Sequence, residues 1–267
     1  MRRTKNTELD TKELIRQRMF ASNRSSGAKY HSLVTGRNGL WSLLRYEATT
    51  TLFGGIPGAI GIVVRRMVYR GLFRNCGRGL VLGRGVTVRH ADKISLGRNV
   101  VIDDFCVLDG RGSRDDGVVI GDEVIINRNS IVQSKFGPIR IGSGTNIGAG
   151  THICAMGGIE IGESVLITGG CTISGGQYHT ENLKMPIMQQ GAFTSGPISI
   201  GDGSWLGMKV MVMDGVTVGR GCAVGAGAVV TQHLPDHAVA SGVPARVTKI
   251  RSDGAEVHQA TVGTRVR

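Results

Sequence analysis

The chain has 267 residues, 40% of them apolar and 19% charged, enough for one large domain with an appendage and too apolar for a wholly disordered chain. Glycine reaches 42 residues against six prolines with no G-X-Y period, which excludes collagen, while aromatics make up only 4%, so the core must be narrow and built from small branched side chains. The net charge of +12 is uneven: residues 1–75 hold 14 Lys/Arg against four Asp/Glu, ten of the twelve excess positive charges.

Residues 1–79 form a basic extension, of which 1–30 are expected to be disordered or loosely helical. No apolar stretch follows the N-terminus within a signal peptide's length, so export is not expected. Residues 48–64 run 17 positions without a charge but include four glycines and a proline. A spanning helix needs about 20 mostly apolar residues, so a transmembrane reading is weak. Trp41, Leu43, Leu44 and Tyr46 precede this stretch, and Arg65, Arg66, Arg70 and Arg74 follow it. The pattern predicts two short helices broken at Gly54-Gly55-Ile56-Pro57, with Pro57 opening the second. Two roles fit residues 40–75. One is a basic amphipathic element on an anionic leaflet, which would hold a cytoplasmic protein peripherally on the inner membrane face. The other is a cap on the end of the main domain. Nucleic acid is not expected as a partner, because no reading motif is present.

From residue 80 aliphatic residues recur every six positions, often with glycine next. Leu82, Val88, Leu96, Ile102 and Leu108 open the series; Ile120, Ile126, Val132, Ile141, Ile147, Ile153, Ile161, Ile167 and Ile173 continue it. Ile200, Leu206, Val212, Val218, Val224 and Val230 close it after a gap. Neither a 3.6-residue period nor simple alternation gives this spacing. A hexad fits a short strand with a tight turn at each corner, and three of them close a triangular coil. Stacked coils then pair in parallel at about 4.8 Å per layer, a mainly β fold over 80–250. Residues 251–267 are expected to form a flexible tail. Cys76, Cys106, Cys154, Cys171 and Cys222 are odd in number and lack a C-x-x-C, so a reducing compartment is expected rather than a disulfide framework or zinc ribbon.

The longest break, with its insertion at 174–197, carries Ser174-Gly175-Gly176 and then Gln177-Tyr178-His179-Thr180-Glu181. Long loops on repeat scaffolds usually carry function. An imidazole there suits general-base chemistry near neutral pH, and Glu181 lies close in sequence.

The repeat resembles that of the hexapeptide acyltransferases, whose fold is a left-handed parallel β-helix. The stretch I-G-D-G-S-W-L-G at 200–207, V-G-R-G-C-A-V-G-A-G-A-V-V-T at 218–231 and G-V-P-A-R at 242–246 resemble the maltose/galactoside acetyltransferase-like and polysaccharide O-acetyltransferase branch. The resemblance implies a homotrimer that transfers acetyl from acetyl-CoA to a sugar or surface-glycan hydroxyl, in polysaccharide biosynthesis. It makes His179 the base and the amide of Met208 an oxyanion donor. It puts Trp205 at the thioester end of the groove, Gly225, Ala226 and Thr231 along pantetheine, and Arg246 and Lys249 at the nucleotide phosphates. One departure stands out: Gln232 follows Thr231 where relatives often have lysine. Tyr178, Asn146 and His152 are candidate acceptor contacts by position.

The fold family also holds γ-type carbonic anhydrases, which need three zinc-binding histidines. The one close pair here, His233 and His237, lies past the last hexad, so no metal is expected. A non-catalytic scaffold would explain the repeat but not the loop, Trp205 and the P-A-R ending together. Acylation of a small soluble acceptor is the alternative within the enzyme class.

Overall fold

A computed structural model describes residues 25–35, 39–112 and 117–252. The expectations for 1–24 and 253–267 lie outside the described residues. Three helices come first: α1 (Ser26–Val34), α2 (Leu40–Phe53) and α3 (Gly58–Arg70). The predicted break lies between α2 and α3, but Pro57 is the residue before the helix, extended at ψ 165, and Gly58 takes the positive φ of 68 there. Proline thus ends the linker instead of opening the helix, because the turn needs its freedom one residue later, at glycine.

The remaining chain coils through three parallel faces seven times. Face A runs from Asn75–Cys76 to Thr217–Val218, face B from Val81–Leu82 to Ala238–Ser241, and face C from Thr87–Arg89 to Val229–Val230. Arg246–Ile250 then folds back antiparallel on Ala238–Ser241. Coiling begins at Asn75, earlier than residue 80, because Cys76 pairs with Leu96 and fills the aliphatic position of the first hexad.

Every hexad residue named above is at most 4% exposed. They stack in register: Ile147, Ile167, Leu206 and Val224 form one ladder on face B. Each such side chain contributes roughly 1.5–3 kcal/mol on burial. A second inward position, two residues earlier, is small for a different reason. Ser130, Thr145, Ser204, Cys106, Cys171 and Cys222 occupy it and donate to carbonyls of the next coil, as in Thr145 Oγ1 to Gly162 O at 2.8 Å and Cys222 Sγ to Pro235 O at 3.1 Å. Burial pushes the Cys106 thiol up to about 11, so it stays protonated. All five cysteines are free.

The helices close the open end of the first coil. Tyr69, Leu72 and Phe73 join the core. Arg65, 2% exposed, donates from Nε to Leu82 O at 2.9 Å and from a terminal nitrogen to Ile56 O. Gly61 makes room for it, since a Cβ there would lie 2.7 Å from that guanidinium. The predicted cap is therefore present. α1 docks separately: the His90 amide donates to Val34 O at 2.8 Å, and the His90 ring meets Ser32 O at 3.1 Å through Nε2. Beneath it lies Asp109, 1% exposed, which pairs with Arg111 at 3.2 Å and accepts from Gln133 Nε2 at 3.3 Å. Burial works against ionisation of Asp109, but His90 and Arg111 outweigh it and hold the carboxyl below its usual range. No helix among the described residues is long and apolar enough to cross a membrane.

Candidate active site

The insertion leaves face C after Thr172–Ser174 and rejoins face A at Ile198–Ile200, so it projects from the C–A edge. It is an ordered hairpin: Gln177–Tyr178 pairs antiparallel with Ala192–Phe193. Its exit is pinned by Asp214, which accepts from Thr194 Oγ1 at 2.9 Å and from the Ser195 amide at 2.6 Å. Its tip is tied by Gln190, whose side chain bonds the Asn182 amide and the carbonyls of Asn182 and Met185. Gly176 holds φ 113 at the start, against the side chain of Met156.

These ties position His179. Its amide donates to Gly191 O at 3.1 Å, and its ring stands 4.7 Å from the Phe193 ring, tilted 32°. The side chain is 35% exposed, and Nδ1 lies 3.7 Å from Glu181 Oε2. That distance is too long for a hydrogen bond and pairs charges only when the ring is protonated. Glu181 Oε2 instead accepts from the Thr180 amide at 3.0 Å. Tyr178 is exposed and ends the strand one residue before His179.

The other predicted residues fall on two edges. Met208, Gly225 and Ala226 turn the chain from face B to face C, and Arg246 sits opposite Ser241 at the same edge. Trp205 adjoins them in the outward row of face B, between Leu166 and Ala223, and Lys249 ends that row opposite Val239. Thr231 follows Val229–Val230 and stands at the C–A edge with His179. One face of about 20 Å, six residues at ~3.3 Å each, separates the two groups. A single chain therefore does not assemble the predicted set.

Met208 is 57% exposed, and its amide has no acceptor among the described residues. Gly207 is required by stacking, since a Cβ there would lie 2.6 Å from the Ala226 amide nitrogen. Asn146 occupies the row of Trp205 two coils earlier, and its Oδ1 accepts from Asn127 at 3.0 Å. His152 is half-buried on face C beside Thr172; burial first, then Lys135, lowers its pKa, so it is neutral at pH 7. His233, two residues past Thr231, accepts the Thr217 amide at Nδ1, 2.9 Å away. Among the described residues no group of three or more His, Cys, Asp or Glu is placed to hold a metal.

The corner hydroxyls and thiols escaped sequence reading, as did the pairing of His90 with Asp109. The signal for the former was present: Ser, Thr and Cys recur two residues before hexad positions.

Known proteins share the repeat and the fold. The bacterial transferase hexapeptide model, six repeats, matches residues 197–232, and the hexapeptide repeat of succinyl-transferase matches 138–174. A probable acetyltransferase of Mycobacterium tuberculosis is 38% identical over 132 residues, 49% of this chain and 44% of that protein. Galactoside O-acetyltransferase of Escherichia coli is 38% identical over 97 residues, 36% of this chain and 45% of the relative. The aligned part thus spans less than half of each relative. The crystal structure of AntD, an N-acyltransferase from Bacillus cereus in complex with dTDP and 3-hydroxybutyryl-CoA, has the same fold, with a TM-score of 0.50 and 22% identity over 70% of this chain and 87% of that one. With seven stacked coils already established by their register, these matches show that the chain carries hexapeptide repeats of the bacterial transferase type over residues 138–174 and 197–232.

Proposed function

We propose that this protein is a CoA-dependent O-acyltransferase that moves acetyl from acetyl-CoA to a hydroxyl of a sugar or glycan precursor. The observation that carries the reading is His179, held half-exposed against Phe193 on a hairpin anchored at both ends. The imidazole takes the proton of the acceptor hydroxyl as its oxygen attacks the thioester carbonyl carbon. The carbon–sulfur bond then breaks, and the proton returns to the departing thiolate. The Met208 amide is the donor for charge on the carbonyl oxygen. Arg246 and Lys249, both exposed, suit phosphate groups. The sugar acceptor follows the named activity of the galactoside relative.

The working form is a homotrimer, in which the C–A edge of one copy meets the B–C edge of the next. Outward rows support it. Face B presents Val81, Val101, Ile125, Leu166 and Trp205 with Asn146 among them, and face C presents Val107, Ile131 and Met211 with Thr87, His152 and Thr172. Face A presents Asn75, Ser95, Arg140, Glu160, Ser199 and Thr217 with Val119 among them, the most polar of the three rows.

The test is thiol release from acetyl-CoA against a panel of galactosides, maltose and amino sugars, with His179→Ala alongside. Transfer by the parent and loss of about 10²–10⁴-fold in the variant, with oligomeric mass unchanged, is expected. Equal rates in both proteins would move the base elsewhere. Neither transfer nor acetyl-CoA binding would leave a scaffold.

A further inference from the structure

Helix α3 is amphipathic in the reverse sense. Its inward face carries Gly61, Arg65 and Tyr69. Its outward face carries Ile60, Val63 and Met67, which are 74%, 57% and 73% exposed. Spacings of three and four residues put these on one stripe, and Arg66 and Arg70 are exposed beside them. A helix that only capped the barrel would turn its isoleucine and methionine inward and its arginine out. Between α3 and the first corner of the coil lies a cavity of about 380 Å³, lined by Val63, Met67, Leu80 and Gly77 with Arg66 and Arg70. From 40 to 85 the sole acidic residue in the sequence is Glu47, which is hydrogen-bonded by Tyr30 at 2.6 Å, and Asp104 of the coil faces the inward Arg65. α2 adds further exposed apolar side chains, Trp41 at 79% and Leu44 at 59%.

We infer that α3 is a docking element for an anionic lipid bilayer. Ile60, Val63 and Met67 enter the boundary between headgroups and acyl chains, while Arg66 and Arg70 meet lipid phosphates. Apolar insertion and phosphate pairing together distinguish this surface from a nucleic-acid site, which binds through charge and leaves an isoleucine–methionine stripe wet. The inference is independent of the acyl-transfer reading, and its readout needs no activity.

The experiment is flotation of the full chain with vesicles of roughly three parts phosphatidylglycerol to seven of phosphatidylcholine, and with phosphatidylcholine alone. The parent should float with anionic vesicles, far less with neutral ones, and less as salt rises. The double variants Ile60→Gln/Met67→Gln and Arg66→Gln/Arg70→Gln should each lower partitioning about tenfold or more, with thermal midpoint and oligomeric mass unchanged. All four positions are exposed, so the fold tolerates them. A parent that stays with the soluble fraction overturns the inference. So do variants that float like the parent, which would assign binding to residues outside α3. A changed oligomeric mass in Ile60→Gln/Met67→Gln would make this stripe a contact between copies and also overturn it, as would tighter binding to double-stranded DNA than to the vesicles.

Discussion

The His179 imidazole leans on the Phe193 ring across the neck of the hairpin, with centroids 4.7 Å apart, and this contact fixes the ring more firmly than Glu181 does at 3.7 Å. Glu181 is 76% exposed and shares its oxygen with the Thr180 amide. Removing Phe193 frees the ring to swing, and small misplacements of a catalytic group cost heavily in rate. Phe193→Ala should therefore lower kcat about tenfold or more while leaving KM for acetyl-CoA near its parent value. Glu181→Gln should change kcat by less than about threefold, because a solvent-exposed pair beyond hydrogen-bond distance contributes little. Steady-state kinetics on both variants distinguishes the two supports, and a larger loss in Glu181→Gln would reverse the assignment.

Asp109 makes stability depend on acid. Its folded carboxyl lies below its ordinary pKa, so it contributes stability above about pH 4, and that stability fades as pH falls through the depressed folded value. Asp109→Asn removes the charge that faces Arg111 and His90. The loss at pH 7 should be about 1–3 kcal/mol, less than for a fully buried pair, since Arg111 remains partly hydrated. The gap between parent and variant should narrow as pH falls from about 4 through the depressed folded value. Denaturant unfolding across pH 2–7 reads both features, and a pH-independent difference would contradict the linkage.

The coil was legible because its interior admits one kind of residue. A prism too narrow for aromatic rings accepts Ile, Val or Leu every six positions, and Ile126, Ile147 and Ile167 are wholly buried where the period puts them. The hairpin was legible as an interruption of that period. Two matters were not, and both depend on long-range geometry. Arg65 reads as a member of a basic run, yet it faces inward, because a carbonyl 17 residues on, Leu82 O, is there to accept from it. Likewise, His179 and Met208 lie 29 positions apart in the chain but on different edges of the prism, which spacing alone leaves undetermined.

The two inward positions of each hexad should respond differently to truncation. Ile167 is 0% exposed between Ile147 and Leu206, so Ile167→Ala should leave a cavity and cost about 2–5 kcal/mol. Ser204 donates to Gly219 O at 2.8 Å and accepts from the Cys222 amide at 3.1 Å. Ser204→Ala removes one oxygen yet strands two buried backbone groups, costing about 1–3 kcal/mol. Ser204→Cys should recover part of that, since Cys106, Cys171 and Cys222 make the same kind of bond at equivalent corners. Equilibrium unfolding compares all three, and no recovery by cysteine would mean that the thiols merely fill space.

Leu166 tests the apolar row of face B. It is 45% exposed and stands between Asn146 and Trp205 on the outward ladder of face B. Leu166→Glu should leave the coil intact by circular dichroism while shifting sedimentation toward the monomer, because a carboxylate buried in a subunit interface without a partner is strongly unfavourable. Activity should fall with the trimer. A trimer that persists in this variant would exclude face B from the contact.

If the C–A edge of one copy works with the B–C edge of the next, defects on different edges should complement. His179→Ala disables the first edge, and Ala226→Glu puts a carboxylate where the thioester arm would pass along the second. Each protein alone should be inactive. Co-folded at equal amounts, they should form mixed trimers in which about a quarter of the sites draw an intact His179 from one chain and an intact Ala226 corner from its neighbour. Recovered activity should approach that fraction of the parent rate and should vanish when the two proteins are folded separately and mixed without exchange. No recovery in co-folded trimers would mean that each chain holds a complete site. His179 would then have to work with groups of its own edge, Thr231 among them, and not with Met208.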